Sequence, residues 1–397
     1  MHINPSIPGW IAKFSQQYSE DLQLYTDDLS YFSACQQSGL IYGYVVDYHV
    51  SASIDDSHWD TVEKTKVAFL TALFCLYKLR KPTSDFTEFE SELILFYTKI
   101  SKSKFSFLHA ILPESHVSQK LESIIDDRIQ SNVNVVAKSF SHIVTNAMLF
   151  IDVLAFDRFL TNGAIELKFF KEMEQKCMTL ILASLQVKKN KTTYDDLLVK
   201  LFENSLRYTK SSDELALYNV IVDTIIHDTL LQRMYLLDMA QMALWSDEIQ
   251  DRDEQIYMND LISSFNLDDY IQKNDNQLHK FILNYKNNLP FFNTNHPVKH
   301  FYNNAQDMIS KLIIRNKKRL VKELSESKEL VKLLGKSTAT ELTYEEKKKV
   351  KKQLLDICKS VPSLTIFLLP GGSLLLPLLI KFIPQLLPSS FNENLED

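Results

Sequence analysis

Five carboxylates fall within eight residues of LLDMAQMALWSDEIQDRDEQIYMNDLI: Asp247, Glu248, Asp251, Asp253 and Glu254. Hard oxygen donors packed this closely are what a divalent cation takes, and Asp247 and Glu254 are the candidate ligands. A second reading needs no metal. Asp251 followed by Glu254 three positions on is the arrangement that caps a helix start, each side chain taking the other residue's backbone N–H. His296 and His300 form an H-x-x-x-H pair without the glutamate of a zinc protease, and Pro297 disfavours helix at His296; they read as a surface pair. His49 and His58 stand among Asp47, Asp55, Asp56 and Asp60 with no cysteine and no sharp ligand spacing. That segment reads as an exposed loop.

Covalent and phosphate chemistry lack their usual residues. There is no G-x-S-x-G, no G-x-x-x-x-G-K-(S/T) and no G-x-G-x-x-G, and with seven glycines in 397 residues a backbone loop that cradles phosphate is not expected. The chain therefore reads as non-enzymatic and without a cofactor, the divalent cation of the acidic cluster aside. Aromatic residues, 11% of the total, follow helical core spacing rather than a stacking platform. The acidic first three-quarters would repel a nucleic-acid backbone, so DNA is not an expected partner.

A different chemistry is written at the other end. Ser360 to Ile380 runs without a charge through VPSLTIFLLPGGSLLLPLLI before Lys381, and about twenty apolar helical residues span a hydrocarbon core of roughly 30 Å. Pro370, Pro377 and Pro384 lie seven residues apart, with Pro362 before and Pro388 after. Seven residues return to nearly the same helix face, so these prolines form a stripe. Each removes an N–H and displaces the carbonyl four residues earlier, freeing those of Ile366, Ser373 and Ile380. Hydrocarbon cannot satisfy them. The stripe, beside the small residues Gly371, Gly372 and Ser373, is an expected face for self-association.

These residues resemble the membrane segment of the Letm family, the leucine-zipper and EF-hand transmembrane proteins. The resemblance rests on Val361-Pro362, on Pro370, Pro377 and Pro384, on Lys381, and on an LPS(S/T)F close from Leu387 through Pro388 to Phe391. LTYEEKKKVKKQLLDICKSVP, from Leu342 to Pro362, is similar to the family's basic helix leading into the span. The resemblance covers about the last seventy residues. Two departures follow. Ser373 stands where family members usually carry an acid, which removes the obvious titrating group for proton-coupled transport. The family's ribosome-binding region is expected largely beyond the LPS(S/T)F close, and only six residues follow Phe391. No D-x-(D/N)-x-(D/N)-G calcium loop is present. Asp247 and Glu254 also match the spacing of TerB-like helical domains, with Glu248 in place of a glycine.

The elements that must position these groups are helical. Few glycines and no Asn-Gly or Asp-Gly dipeptide argue against hairpins. Scattered Cys35, Cys75, Cys177 and Cys358 argue against a disulfide framework or zinc site and fit a reducing compartment. Residues 60–80 place Val67, Leu70, Phe74 and Tyr77 at helical spacing, with Pro82 as the stop, and Thr87–Ile100 predicts a second helix. Residues 140–160 are apolar but carry Asp152 and Asp157, which favours a core helix over a membrane span. Residues 166–187 predict an amphipathic helix, followed by a loop at KKNKTTYD. Two or three helices are expected over 212–264, one burying Leu230, Met234, Leu237, Gln241 and Leu244. A single helix from about Lys299 to Leu334 would stack Ile313, Leu320, Leu324 and Val331 and end at Gly335.

The expected fold is mainly α. Residues 1–200 form an N-terminal helical domain and 201–295 a second, with its TerB-like spacing. A basic helical linker follows over 296–359, and a Pro-kinked Letm-like transmembrane segment over 360–391. Residues 311–360 hold fifteen Lys or Arg against seven Asp or Glu, in a chain of net charge -6. A basic block just before an apolar span places the preceding bulk on the cytoplasmic side. Lys347, Lys348, Lys349, Lys351 and Lys352 would face anionic headgroups or a ribosome; the alternative is a solvated face with Glu345 and Glu346 pairing toward Lys349. The N-terminus shows neither a secretory signal nor an Arg-rich transit peptide, which favours a bacterial inner-membrane protein over a mitochondrial precursor. Among bacterial relatives of the resembled family some are labelled biofilm-associated. Two functions are open: a membrane-anchored scaffold, with ribosome binding and cation homeostasis implied by the resemblance, or an oligomeric cation/proton exchanger.

Overall fold

The computed structural model describes residues 3–101, 117–129, 148–166, 168–188, 199, 214–244, 251–268, 270, 277–285, 313, 317–339 and 342–360. Within these the protein is helical, and the described residues contain one isolated antiparallel bridge, Leu22 to Val50, and no strand. The proline stripe, Asp247, His296, His300, the KKNKTTYD loop beyond Lys188 and the membrane segment from Val361 to Phe391 lie outside the described residues.

The centre is α3 (Thr61–Arg80). Its start is set by reciprocal capping: Asp60 Oδ1 accepts from the Val62 and Glu63 N–H groups at 2.9 and 2.8 Å, and the Asp60 N–H donates to Glu63 at 2.8 Å. From Val62 to Tyr77 the helix buries all but two side chains, as expected of one apolar on every face. Around it stand α1 (Trp10–Tyr18), α2 (Asp28–Gln37), α4 (Phe86–Ser101), α5 (Val117–Ile129) and α6 (Phe150–Asn162). Their contact is aromatic. Phe74 meets Phe86 and Phe89 at ring-centroid distances of 4.9 Å, and Phe96 meets Phe156 at 5.3 Å, so the aromatic residues are core. Glycine at position 9 gives α1 no side-chain cap of its own. Buried Glu122 of α5 supplies one from afar, accepting from the Gly9 and Ile11 N–H groups at 2.9 Å.

Helix α6 takes the apolar run that carries Asp152 and Asp157, and both are buried. Arg128 of α5 grips Asp152 through both carboxylate oxygens, and the Tyr97 hydroxyl donates to it at 2.9 Å. Arg80, at the end of α3, reaches Asp157 at 2.6 Å and Asp28 at 2.7 Å. The two acids that argue against a membrane span are thus interior anchors tying α2, α3, α5 and α6 together.

The next layer is α7 (Lys168–Val187), α8 (Glu214–Ile225), α9 (Leu230–Leu244), α10 (Arg252–Ser264) and α11 (Gln277–Tyr285). Helix α9 packs chiefly against α7 and also meets α2. It buries far more than the expected stripe: Leu231, Tyr235, Leu236, Asp238 and Met239 are buried too, whereas Leu230 and Gln241 are half-exposed. Neighbours on several sides make a single-face reading too narrow. Contacts cross residue 200 directly, since Phe281 of α11 lies against Gly39.

Two further expectations change. His49 is buried rather than exposed, because the Leu22–Val50 bridge, the Gln23 N–H on the His49 carbonyl (2.9 Å) and the Ser51 N–H on Asp21 (2.7 Å) press its segment inward. The expected single helix ending at Gly335 is two helices, α12 (Lys317–Glu326) and α13 (Lys328–Ala339). They part at Ser327, whose N–H turns back three residues to Leu324 at 2.9 Å. Gly335 sits inside α13 with no left-handed backbone. Ile313, Leu320, Leu324 and Val331 are buried as the stripe predicts.

Candidate functional site

The last described element, α14 (Tyr344–Ser360), carries the lysine cluster. The Thr343 side chain and Glu346 cap its start: the Thr343 N–H donates to Glu346 at 2.8 Å, and the Glu346 N–H returns to the Thr343 hydroxyl at 3.4 Å. Acidic Glu345 and Glu346 in the first turn suit the positive end of the helix. Val350, Leu354 and Ile357 fall four and three residues apart and are buried, as are Leu320 and Leu324 of α12 and Leu330 and Leu334 of α13. At roughly 1.5–3 kcal/mol for each fully buried aliphatic side chain, this seam holds the three helices together. Polar residues are thereby forced to the other faces.

Each lysine has a different surrounding. Lys349 pairs with Glu329 of α13 at 2.9 Å, and Gln353 donates to the same carboxylate at 3.2 Å. The hydrogen bond and charge of Glu329 raise the Lys349 ammonium, and those of Lys349 lower Glu329. Glu346 pairs with Lys336 at 2.7 Å, which holds its carboxyl down at about 2. The expected in-helix pairing of Glu345 and Glu346 toward Lys349 is therefore replaced by bonds across the hairpin, because α13 lies alongside. Lys351 is half-buried. Burial pushes its ammonium down, with Glu174 and Lys171 of α7 acting on it in opposite senses, so it turns toward the helical body. Lys347 is half-buried, and Lys348 and Lys352, one turn apart, are exposed.

The described lysines of α14 form a basic surface. It presents ammonium groups on a rigid helix at one-turn spacing, with Lys332 and Lys336 of α13 also exposed. Point charges of this kind bind a polyanion by displacing its counterions.

Residues 342–397 match the family model described as LETM1-like, RBD. The C-terminal segment is LETM1-like. The match begins at the residue before the Thr343 cap and takes in all of α14. It runs on through the apolar segment and the LPS(S/T)F close to residue 397. No curated protein and no solved structure matches the chain.

The remaining candidates separate clearly. Glu254 is buried and works as a cap: its Oε2 accepts from the Asp251 N–H at 3.1 Å, while Asp251 Oδ1 takes the Asp253 and Glu254 N–H groups at 2.8 and 3.0 Å. Its proposed co-ligand Asp247 is outside the described residues. Among those described, no three His, Cys, Asp or Glu side chains are grouped as a metal would need. His49 meets the Tyr25 hydroxyl through Nδ1 at 3.0 Å, and burial lowers its imidazole to about 4; it is neutral near pH 7. No described helix is long and apolar enough to cross a membrane.

One cluster was invisible to sequence reasoning. Asp238 of α9 is fully buried, and its Oδ2 accepts from Gln36 of α2 at 2.8 Å and from the Tyr42 hydroxyl at 3.2 Å. The only local signal is an acid within the apolar YLLDMA run of a core helix.

Proposed function

We propose that the protein is a LETM1-like membrane-tethered scaffold that holds ribosomes at the membrane surface through α14. One observation carries this: the family match, in a ribosome-binding domain, falls on a helix whose exposed lysines stand directly before the apolar segment. A buried seam fixes the helix, so its charges are pre-arranged, and ordering costs little on binding. The apolar segment 360–391 anchors the chain in a bacterial inner membrane, with the helical body on the cytoplasmic side where ribosomes are. Lys348 and Lys352 contact rRNA phosphate, and the same face lies close to anionic headgroups. The role is binding rather than catalysis, with a link to cation homeostasis following from the LETM1-like character.

Co-sedimentation of the full chain with purified bacterial ribosomes tests the reading. Binding is expected for the intact chain and loss is expected for Lys348→Glu/Lys352→Glu. Equal sedimentation of the two, or none with the parent, removes the proposal. Fractionation tests the tether separately: the full chain should stay in the alkali-washed membrane pellet, and a chain stopped at Lys359 should leave it.

A further inference from the structure

The contact between the first and second layers of helices is closed around one carboxyl. Asp238 lies at the middle of α9, 2% exposed. Its two hydrogen-bond donors, the Gln36 amide and the Tyr42 hydroxyl, are neutral. Gln36 also accepts from the Tyr270 hydroxyl at 3.3 Å, so α2, the turn after it, α9 and the residue region before α11 meet at this point. The turn is held in place by Gly39. Its φ of +77 favours glycine, and a Cβ there would fall 1.9 Å from the Tyr44 carbonyl and 2.7 Å from the Phe281 ring. The Phe281 ring in turn meets the Tyr42 ring at 5.0 Å, tilted by 48°. A single turn thus aligns both Tyr42 and α11.

The other charged and titratable groups lie on the elements packed around the site, and of these Tyr235 feels the charge of Asp238. On α9 itself Tyr235 is fully buried, and Arg233 donates to the Phe265 carbonyl at 2.6 Å. On α7, Lys176 is held by Asp228 at 2.5 Å, and Cys177 and Glu174 act on Tyr235. On α10, Glu254 caps its own helix. On α2, Cys35 is buried beside Tyr31. On α11, His279 is half-buried and Lys280 exposed. None of these is a hydrogen-bond or ion-pair partner of Asp238. The charged carboxylate then has two neutral donors and no cation to offset its burial, whereas burying the neutral acid costs less.

We infer that Asp238 is a proton-operated latch between α2 with its turn and the α9–α11 layer, closed when the carboxyl is protonated and loosened when it ionises. Burial pushes the carboxyl from 3.8 up to about 7, against the pull of its two donors. The unfolded chain binds fewer protons than the folded one between those values, so stability is fully present below 3.8 and is lost as pH rises through about 7. The switch falls within the range of a cell interior, and it acts on the layer that Lys351 of α14 faces.

The experiment compares the full chain with Asp238→Asn, which keeps an acceptor for Gln36 and Tyr42 but cannot ionise. Between pH 6 and pH 8.5 the denaturation midpoint of the parent should fall, and that of the variant should stay level. In the same parent samples, amide exchange corrected for intrinsic rate should speed up in residues 28–42 and 277–285 at the higher pH, at least several-fold more than in α3. That second readout stands even if the variant does not fold. A parallel pH slope in both proteins, or exchange unchanged in those two segments, overturns the latch.

Discussion

The helical body around α3 and the hairpin of α12, α13 and α14 use charge in opposite ways. In the body, charges are inside: Asp152 and Asp157 are almost wholly covered, and each is gripped by an arginine from another helix. In the hairpin they are outside, where Glu329 with Lys349 and Glu346 with Lys336 bridge exposed surfaces. Buried pairs are costly to break because the abandoned partner has no water to turn to. Surface pairs exchange with solvent and salt at little cost. The difference teaches where each region places its charge: the body between packed helices, where it fixes one packing, and the hairpin on its surface.

The largest effect should come from breaking a pair in the body. Arg128→Met leaves Asp152 buried and uncompensated, with an expected loss of about 3–5 kcal/mol in chemical denaturation. Adding Asp152→Leu should restore most of it, because an apolar pair of similar volume suits that interior. If the single change is harmless, the body is not held as described.

Next in size is the turn that aligns Tyr42 and Phe281. Gly39→Ala combines a strained backbone with overlap against the Phe281 ring, and a loss of about 1–3 kcal/mol is expected from overpacking. A smaller loss, about 1 kcal/mol, should follow Asp251→Ala at the start of α10. Addition of divalent cation should not change the stability of that variant or of the parent if Glu254 serves only as a cap. A cation-dependent rise in the parent that vanishes in Glu254→Gln would restore the metal reading of Asp247 and Glu254.

The smallest effect belongs to the hairpin. Glu329→Gln should leave the denaturation midpoint where it is, since both partners are exposed. It releases Lys349, so ribosome binding should strengthen slightly at low salt. A clear loss of stability would mean that the hairpin, like the body, is locked by its charges.

What the sequence made legible was local. The helices at 60–80 and 87–100, the Asp251–Glu254 cap and the apolar seam of Leu320, Leu324 and Val331 all follow from spacing within one segment. So does the resemblance at the C-terminus, which the family match supports. What it hid was non-local. Asp152 and Asp157 read correctly as signs of a core helix, but their arginines stand 24 and 77 positions away, and nothing in the apolar run names them. Gln36 and Asp238 are separated by 202 positions. Lys349 looked like the partner of its own helix's acids until α13 supplied a closer one. His49 looked exposed because its neighbours are polar, whereas the bridge from adjacent Val50 to Leu22, twenty-eight positions before it, presses it inward. Ser327 breaks a helix whose periodicity runs through it unbroken.

The central claim is that α14 offers its exposed lysines to a polyanionic surface. Its most direct test is the salt dependence of ribosome co-sedimentation by the full chain, read against Lys348→Ala/Lys352→Ala. For the parent, log binding should fall linearly with log salt, and the double variant should bind more weakly with a slope shallower by about two, one for each phosphate contact removed. Parallel slopes for parent and variant, at equal affinity, would contradict it.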